Sequence, residues 1–203
     1  MDEAARAAFV RVTLIDEPDQ ALMSFFLKLR HWELFLMLIL PTALCWMWKV
    51  PFNPLVVASI GLFLLIVLFA WLGSVGTWCN ARLPKERQGS VVPFLLALIL
   101  PLVYVLMYIL VYLPDLQASG PPEKPPLWLL PMHMLSMAAT FYVFWFSASR
   151  YKSLLENEDA DFLIFSSTFF LLFIFPLGVW IIQPGVNELY HRLDSSTGAE
   201  PGN

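Results

Sequence analysis

Met132, His133, Met134 and Met137 place soft thioethers beside an imidazole, the donor types that accept Cu(I). Along a helix, consecutive side chains point about 100° apart, so only His133 with Met137, or Met134 with Met137, share a face. Methionine also fills irregular apolar gaps. The geometry therefore argues against a metal site, and His133 is expected to face a helix bundle and bond to a hydroxyl or carbonyl. Tyr104, Tyr108 and Tyr112 recur every four residues and form one stripe of hydroxyls. With His133 the stripe would line a polar path for a small solute or a proton. Its plainer use is a helix interface whose hydroxyls bond to neighbouring helices.

The remaining candidates have ordinary structural uses. Glu156, Glu158, Asp159 and Asp161 would suit a cation or a partner, but such a cluster is more commonly a solvated loop, with Asp161 capping the helix that follows. Ser166, Ser167 and Thr168 have no accompanying base, and hydroxyls in apolar helices generally bond back to their own backbone. Glu33 lies beside Arg30 and His31, where an ion pair is expected. There is no His-Glu-x-x-His, Gly-x-Ser-x-Gly, P-loop or Cys-x-x-Cys. The expectation is no catalytic residue, no metal and no cofactor.

The elements that must position these residues are five long apolar stretches, at about 32–48, 54–78, 91–113, 127–149 and 162–183. Of the 28 Asp, Glu, Lys and Arg residues, only Glu33 falls inside one. A helix needs about 20 apolar residues to cross a bilayer, and four of the five reach that. Hydrophobic residues form 59% of the chain and charged ones 14%, against roughly 45–50% and about 25% in soluble domains. The runs do not alternate in polarity as barrel strands do, and backbone groups in lipid must be satisfied internally. The fold class expected is all-α: a polytopic transmembrane bundle of five spans, occupying residues 31–190.

Basic residues orient it. Arg6, Arg11, Lys28, Arg30, Arg82, Lys85, Arg87, Arg150 and Lys152 fall on one side of a five-span bundle, and Lys49, Lys124 and Arg192 on the other. Nine against three places the N-terminus inside and the C-terminus outside. Residues 1–30 form a cytoplasmic leader in which Leu22, Phe25, Phe26 and Leu29 suit a short interfacial helix, unless that segment continues the first span. Its mixed charge does not resemble a cleaved signal. Trp32, Trp46, Trp48, Trp78, Trp128 and Trp180 fall near span ends, while Trp71 and Trp145 are expected to pack between helices. Cys45 and Cys79 lie near opposite faces, too far apart for a disulfide. The 114–126 loop should be extended, and 191–203 a disordered tail.

Two segments look purpose-built. Gly73-Ser74-Val75-Gly76-Thr77 would allow close helix approach. Pro176 and Gly178 should kink the last span, and Gln183, Pro184 and Asn187 should end it at the surface.

These residues carry a resemblance. Arg30-His31-Trp32, Trp71 to Gly76 with Leu83-Pro84-Lys85-Glu86, His133 to Met137, and the closing Phe175 to Asn187 resemble a group of small bacterial polytopic membrane proteins. That group ends in Phe-Pro-x-Gly-Val-Trp-x-Ile-Gln-Pro-x-Val-Asn, and Gly185 stands here where a basic residue is expected. The likeness covers roughly residues 28–190. It implies the architecture and a bacterial inner membrane, and it brings no known activity. The function expected is non-enzymatic, acting through lipid or protein contacts, including other copies of itself, with no nucleic acid. The alternative is a small oligomeric carrier or channel lined by Tyr104, Tyr108, Tyr112 and His133.

Overall fold

A computed structural model describes residues 24–48, 53–114, 120, 126–157, 162–175 and 177–197. Among these every regular element is helical. Residues 24–28 form a short helix of their own, and the chain breaks at Leu29 and Arg30. Helix α1 (His31–Met47) then starts where the Glu33 carboxylate accepts the Arg30 backbone N–H at 2.8 Å. Helix α2 (Pro54–Arg82) starts behind Asn53, whose side-chain oxygen accepts the Leu55 N–H, with proline at the first helical position, where its missing donor costs nothing. Pro84 follows its end, and a single 3-10 turn (Lys85–Arg87) leads into α3 (Val91–Met107). One π-helical turn (Tyr108–Tyr112) continues α3. Helix α4 (Leu129–Glu156) stops at Asn157, which adopts the left-handed conformation that asparagine tolerates (φ 55°).

Among the described residues, three helices are long and apolar enough to cross a membrane: Pro54–Arg82, Val91–Tyr112 and Leu129–Glu156. Helix α1 is apolar but has 17 residues, about 26 Å at 1.5 Å per residue. Direction is read from paired residues. Gly73 meets Leu98 and Gly76 meets Phe94, so α2 and α3 are antiparallel. Phe94 stacks on Phe146 at 4.3 Å and Tyr104 lies 5.6 Å from His133, so α3 and α4 are antiparallel too. The small-residue segment does what its composition predicts: a Cβ on Gly76 would lie 2.7 Å from the Phe94 ring and 3.1 Å from the Ser147 hydroxyl. Trp71, Leu72, Phe94, Val143 and Phe146 fill the resulting core. On the outer face of α3, Leu96, Ile99, Val103 and Leu110 are exposed, an apolar surface that lipid would cover.

The last apolar stretch differs from expectation. It is two helices, α5 (Phe162–Phe173) and α6 (Leu177–Thr197), rather than one kinked span. Helix α5 runs antiparallel to α4, with Phe165 against Trp145 and Phe173 against Phe141. Helix α6 then reverses. Its Gln183 meets Trp71 and its Tyr190 meets Trp78, so it runs parallel to α2 and back toward residues 24–30. At the reversal, a Cβ on Gly178 would collide with the Leu171 carbonyl oxygen, so only glycine lets the two helices come this close. Pro176 itself lies outside the described residues.

Four further expectations change with this hairpin. The described C-terminal end lies at the same end of the bundle as residues 24–30, not opposite it. Gln183, Pro184 and Asn187 do not end a helix; α6 continues through them to Thr197. The region expected as a tail from 191 is therefore helical to 197. Trp145 is partly exposed at the α4/α5 edge, whereas Trp71 is buried as expected. The leader up to 23, most of the 114–126 loop, Glu158, Asp159, Asp161 and residues 198–203 lie outside the described residues.

Candidate functional site: a polar cluster at the basic end of the bundle

Lys28, Arg30, Arg82, Lys85, Arg87, Arg150, Lys152 and Arg192 gather at the end shared by residues 24–30, the 83–90 turn and the close of α4 and α6. Beneath them, Gln183 is completely buried. Its Oε1 accepts the Trp71 indole N–H at 2.7 Å. Its Nε2 donates to the Leu29 carbonyl at 2.7 Å and the Phe26 carbonyl at 3.1 Å. One turn on, Asn187 Nδ2 donates to the same Leu29 carbonyl at 3.1 Å. An indole only donates and carbonyls only accept, so the Gln183 amide has a single satisfying orientation. The break at Leu29 and Arg30 leaves carbonyls without the next helical turn. Helix α6 supplies donors to them, fastening the hairpin to both α2 and the leading segment. His31 and Phe35 of α1 pack on Trp180 of α6 at 4.6 and 5.4 Å, extending the seam.

A second set of bonds holds the 83–90 turn. Asn80 Nδ2 donates to the Gly89 carbonyl at 3.1 Å, and its Oδ1 accepts the Gly89 N–H at 2.8 Å. Arg150 donates to the Arg87 carbonyl at 2.6 Å, and Arg87 donates to the Asn157 carbonyl at 2.8 Å. The turn is thus tied to α2 on one side and α4 on the other. Asn80→Ala removes both bonds to Gly89 and is expected to cost about 2 kcal/mol. Denaturant titration of the purified protein in detergent would measure it, and a loss under about 0.5 kcal/mol would contradict that role.

At the rim, two cations bracket two aromatic rings. Lys28 Nζ lies 5.7 Å from the Tyr190 ring centre, Tyr190 lies 5.5 Å from Trp78, and the Arg82 guanidinium lies 4.2 Å from the Trp78 ring. The Trp78 Nε1–H is buried and has no acceptor among the described residues.

The residues picked out from sequence lie elsewhere in part. Tyr104 touches His133, and Tyr108 touches Tyr112 at 5.2 Å, all toward the far end of the bundle. The three tyrosines are half-buried, whereas His133, Met134 and Met137 are exposed. Among the described residues, no three His, Cys, Asp or Glu side chains converge. Gln183 and Asn187 were legible as special, but as surface residues. Their spacing of four, which puts both amides on one helix face, was the usable signal for an interior role. Trp78 reads only as a tryptophan near a span end, though it is buried, and Asn80 and Tyr190 carry no such signal. Comparison with known proteins returned no matching family model, no matching curated protein and no matching solved structure.

Proposed function

We propose that this chain is a non-enzymatic integral protein of a bacterial cytoplasmic membrane, working through contacts with lipid and with other membrane proteins or further copies of itself. Two interior amides support this reading: Gln183 and Asn80 bond through both their oxygen and their nitrogen to an indole or to backbone groups, so their polarity joins structural elements, while Asn187 bonds to Leu29 through its nitrogen alone. The topology that accompanies it is four crossings, by α1 to α4, plus a hairpin of α5 and α6 that enters from the basic end and returns to it. Helix α5 has 12 residues, about 18 Å, and cannot cross a core of about 30 Å, whereas the 17 residues of α1 fall short by less than about one turn, a mismatch that local bilayer thinning and flanking residues absorb.

The observation that carries the topology is the Gln183 and Asn187 bonding to Leu29, which puts both described ends together. Charge agrees. Moving Arg192 to the N-terminal side leaves only Lys49 and Lys124 opposite, two of the 12 basic residues, a stronger inside bias than nine against three. Single cysteines in a background lacking Cys45 and Cys79 test this. With an impermeant maleimide on intact spheroplasts, Lys124→Cys should react, while Lys85→Cys and Thr197→Cys should react only after permeabilisation. Labelling at position 197 from outside would overturn the hairpin.

A second reading, a small carrier or channel, is favoured by the Tyr104–His133 contact and by the π-helical turn carrying Tyr108 and Tyr112, a distortion common at functional sites. It requires solute flux in reconstituted vesicles that His133→Ala abolishes.

A further inference from the structure

We propose that this chain is a wedge, broader in the leaflet at its basic end, and that it gathers where that leaflet is convex; this rests on the four crossings and returning hairpin above. Burial is one-sided along the bundle. All eleven buried residues of α2 lie between Val67 and Asn80, in the half that ends at Arg82. Of the nine buried residues of α4, only Ser136 precedes Val143. Both buried residues of α1, Leu34 and Leu38, fall in its first half. Only α3 keeps a buried pair further out, Ile109 and Leu113. Helices α1 and α2 also part at that end: a cleft of about 390 Å³ lies between Pro41 of α1 and Leu55, Val56, Ser59, Ile60 and Phe63 of α2.

The hairpin produces the difference. Helix α5 climbs α4 from the Phe165–Trp145 contact to the Phe173–Phe141 contact and then reverses. The same face of α4 continues as Met137, Met134 and Leu130, which are exposed. Among the described residues, six helices therefore occupy the basic half of the bundle and four reach the other surface. Each helix takes up a section about 10–12 Å wide, so the two extra ones displace lipid from one leaflet only. The α4 side chains above the hairpin are apolar, as is the cleft apart from Ser59, so acyl chains and not water fill that level. Curvature that makes the crowded leaflet convex gives it more area, and the wedge fits there with least strain on the lipid. Its partner is thus a lipid leaflet of matching curvature, recognised by shape and not by headgroup.

Sorting into membrane tubes tests it, with the full chain in giant vesicles of uncharged dioleoyl phosphatidylcholine. In the background lacking Cys45 and Cys79, an impermeant fluorescent maleimide added outside marks Lys85→Cys only in molecules whose basic end faces out. The same reagent marks Lys124→Cys only in molecules of the opposite orientation. On a thin tube pulled outward, the outer leaflet is the convex one. Bilayer accommodation of protein shape is worth fractions of a kcal/mol, so labelled Lys85→Cys protein should be enriched about twofold over a lipid dye, and labelled Lys124→Cys protein depleted about twofold. Equal tube density for both, as a cylinder or a bundle evened out by a second copy would give, overturns the wedge, and so does the reverse order. The topology is read separately, from a chain carrying Lys85→Cys and Thr197→Cys together. With the hairpin returned, each molecule should take up two labels from outside or none. A single label on each would overturn the returning hairpin itself, whatever the tubes showed.

Discussion

Gln183→Leu should be among the most damaging single substitutions in this chain, costing about 3 kcal/mol. The side chain is fully buried, so water cannot replace what is lost. Leucine matches its bulk but leaves the Trp71 N–H and the Phe26 carbonyl without this partner, and Leu29 with Asn187 alone. Each buried polar group stranded in this way costs about 1–3 kcal/mol. Trp71→Phe removes one of the three bonds and no carbonyl partner, so it should cost less. Because both variants break the same 2.7 Å bond, the double variant should cost less than the sum of the two. Gln183→Glu keeps an acceptor for Trp71 but turns a carboxylate toward two carbonyl oxygens, and should not rescue. Reversible unfolding in mixed detergent micelles gives all four values. A Gln183→Leu protein within about 0.5 kcal/mol of wild type would show that the seam does not hold the hairpin.

Gly178→Ala should be comparably severe, at about 3 kcal/mol, for a different reason. The added methyl meets the Leu171 carbonyl, a backbone atom in the adjacent helix that no rotamer change can move aside. Overpacking a tight site costs about 1–3 kcal/mol when side chains can yield, and here the upper part of that range applies. Leu177→Ala, one residue away on an exposed position, should stay within about 0.5 kcal/mol. The two together separate steric closure from general sensitivity of the turn. If Gly178→Ala were as mild as its neighbour, the close approach of α5 and α6 would not be needed. With the Thr197→Cys reporter, a Gly178→Ala protein that remains folded should also show altered labelling, since the reversal is what returns α6 to the basic end.

The two substitutions fall on either side of what could be read in advance. Gly178 and Pro176 stand out in the sequence, because Phe-Pro-x-Gly inside an apolar run breaks helical regularity wherever it occurs. The same signal does not distinguish a kink from a reversal. That choice depends on whether the glycine faces a neighbouring backbone, and Leu171 is brought to it only by the turn itself. Gln183 reads as a surface residue for a related reason. A polar pair closing an apolar stretch reads as the surface end of a span, and the partners that make it interior are separated from it by 112 to 157 residues. Of the stripe of Tyr104, Tyr108 and Tyr112, the last two rings meet at 5.2 Å across the π-helical turn that starts at Tyr108.

The amino-acid sequence alone determined the all-helical class, the α2, α3 and α4 runs, the close approach at Gly76 and the concentration of basic residues at one end. These follow from local quantities: apolar length against bilayer thickness, residue size, and charge counted per loop. The reversal between α5 and α6, the shared end of the two described termini, the Gln183 seam and the Lys28–Tyr190–Trp78–Arg82 shelf were decided only in three dimensions. Each needs groups far apart in the chain to satisfy one another's hydrogen bonds or ring faces, and the energy of such a contact is absent until the fold has brought both partners to the same place.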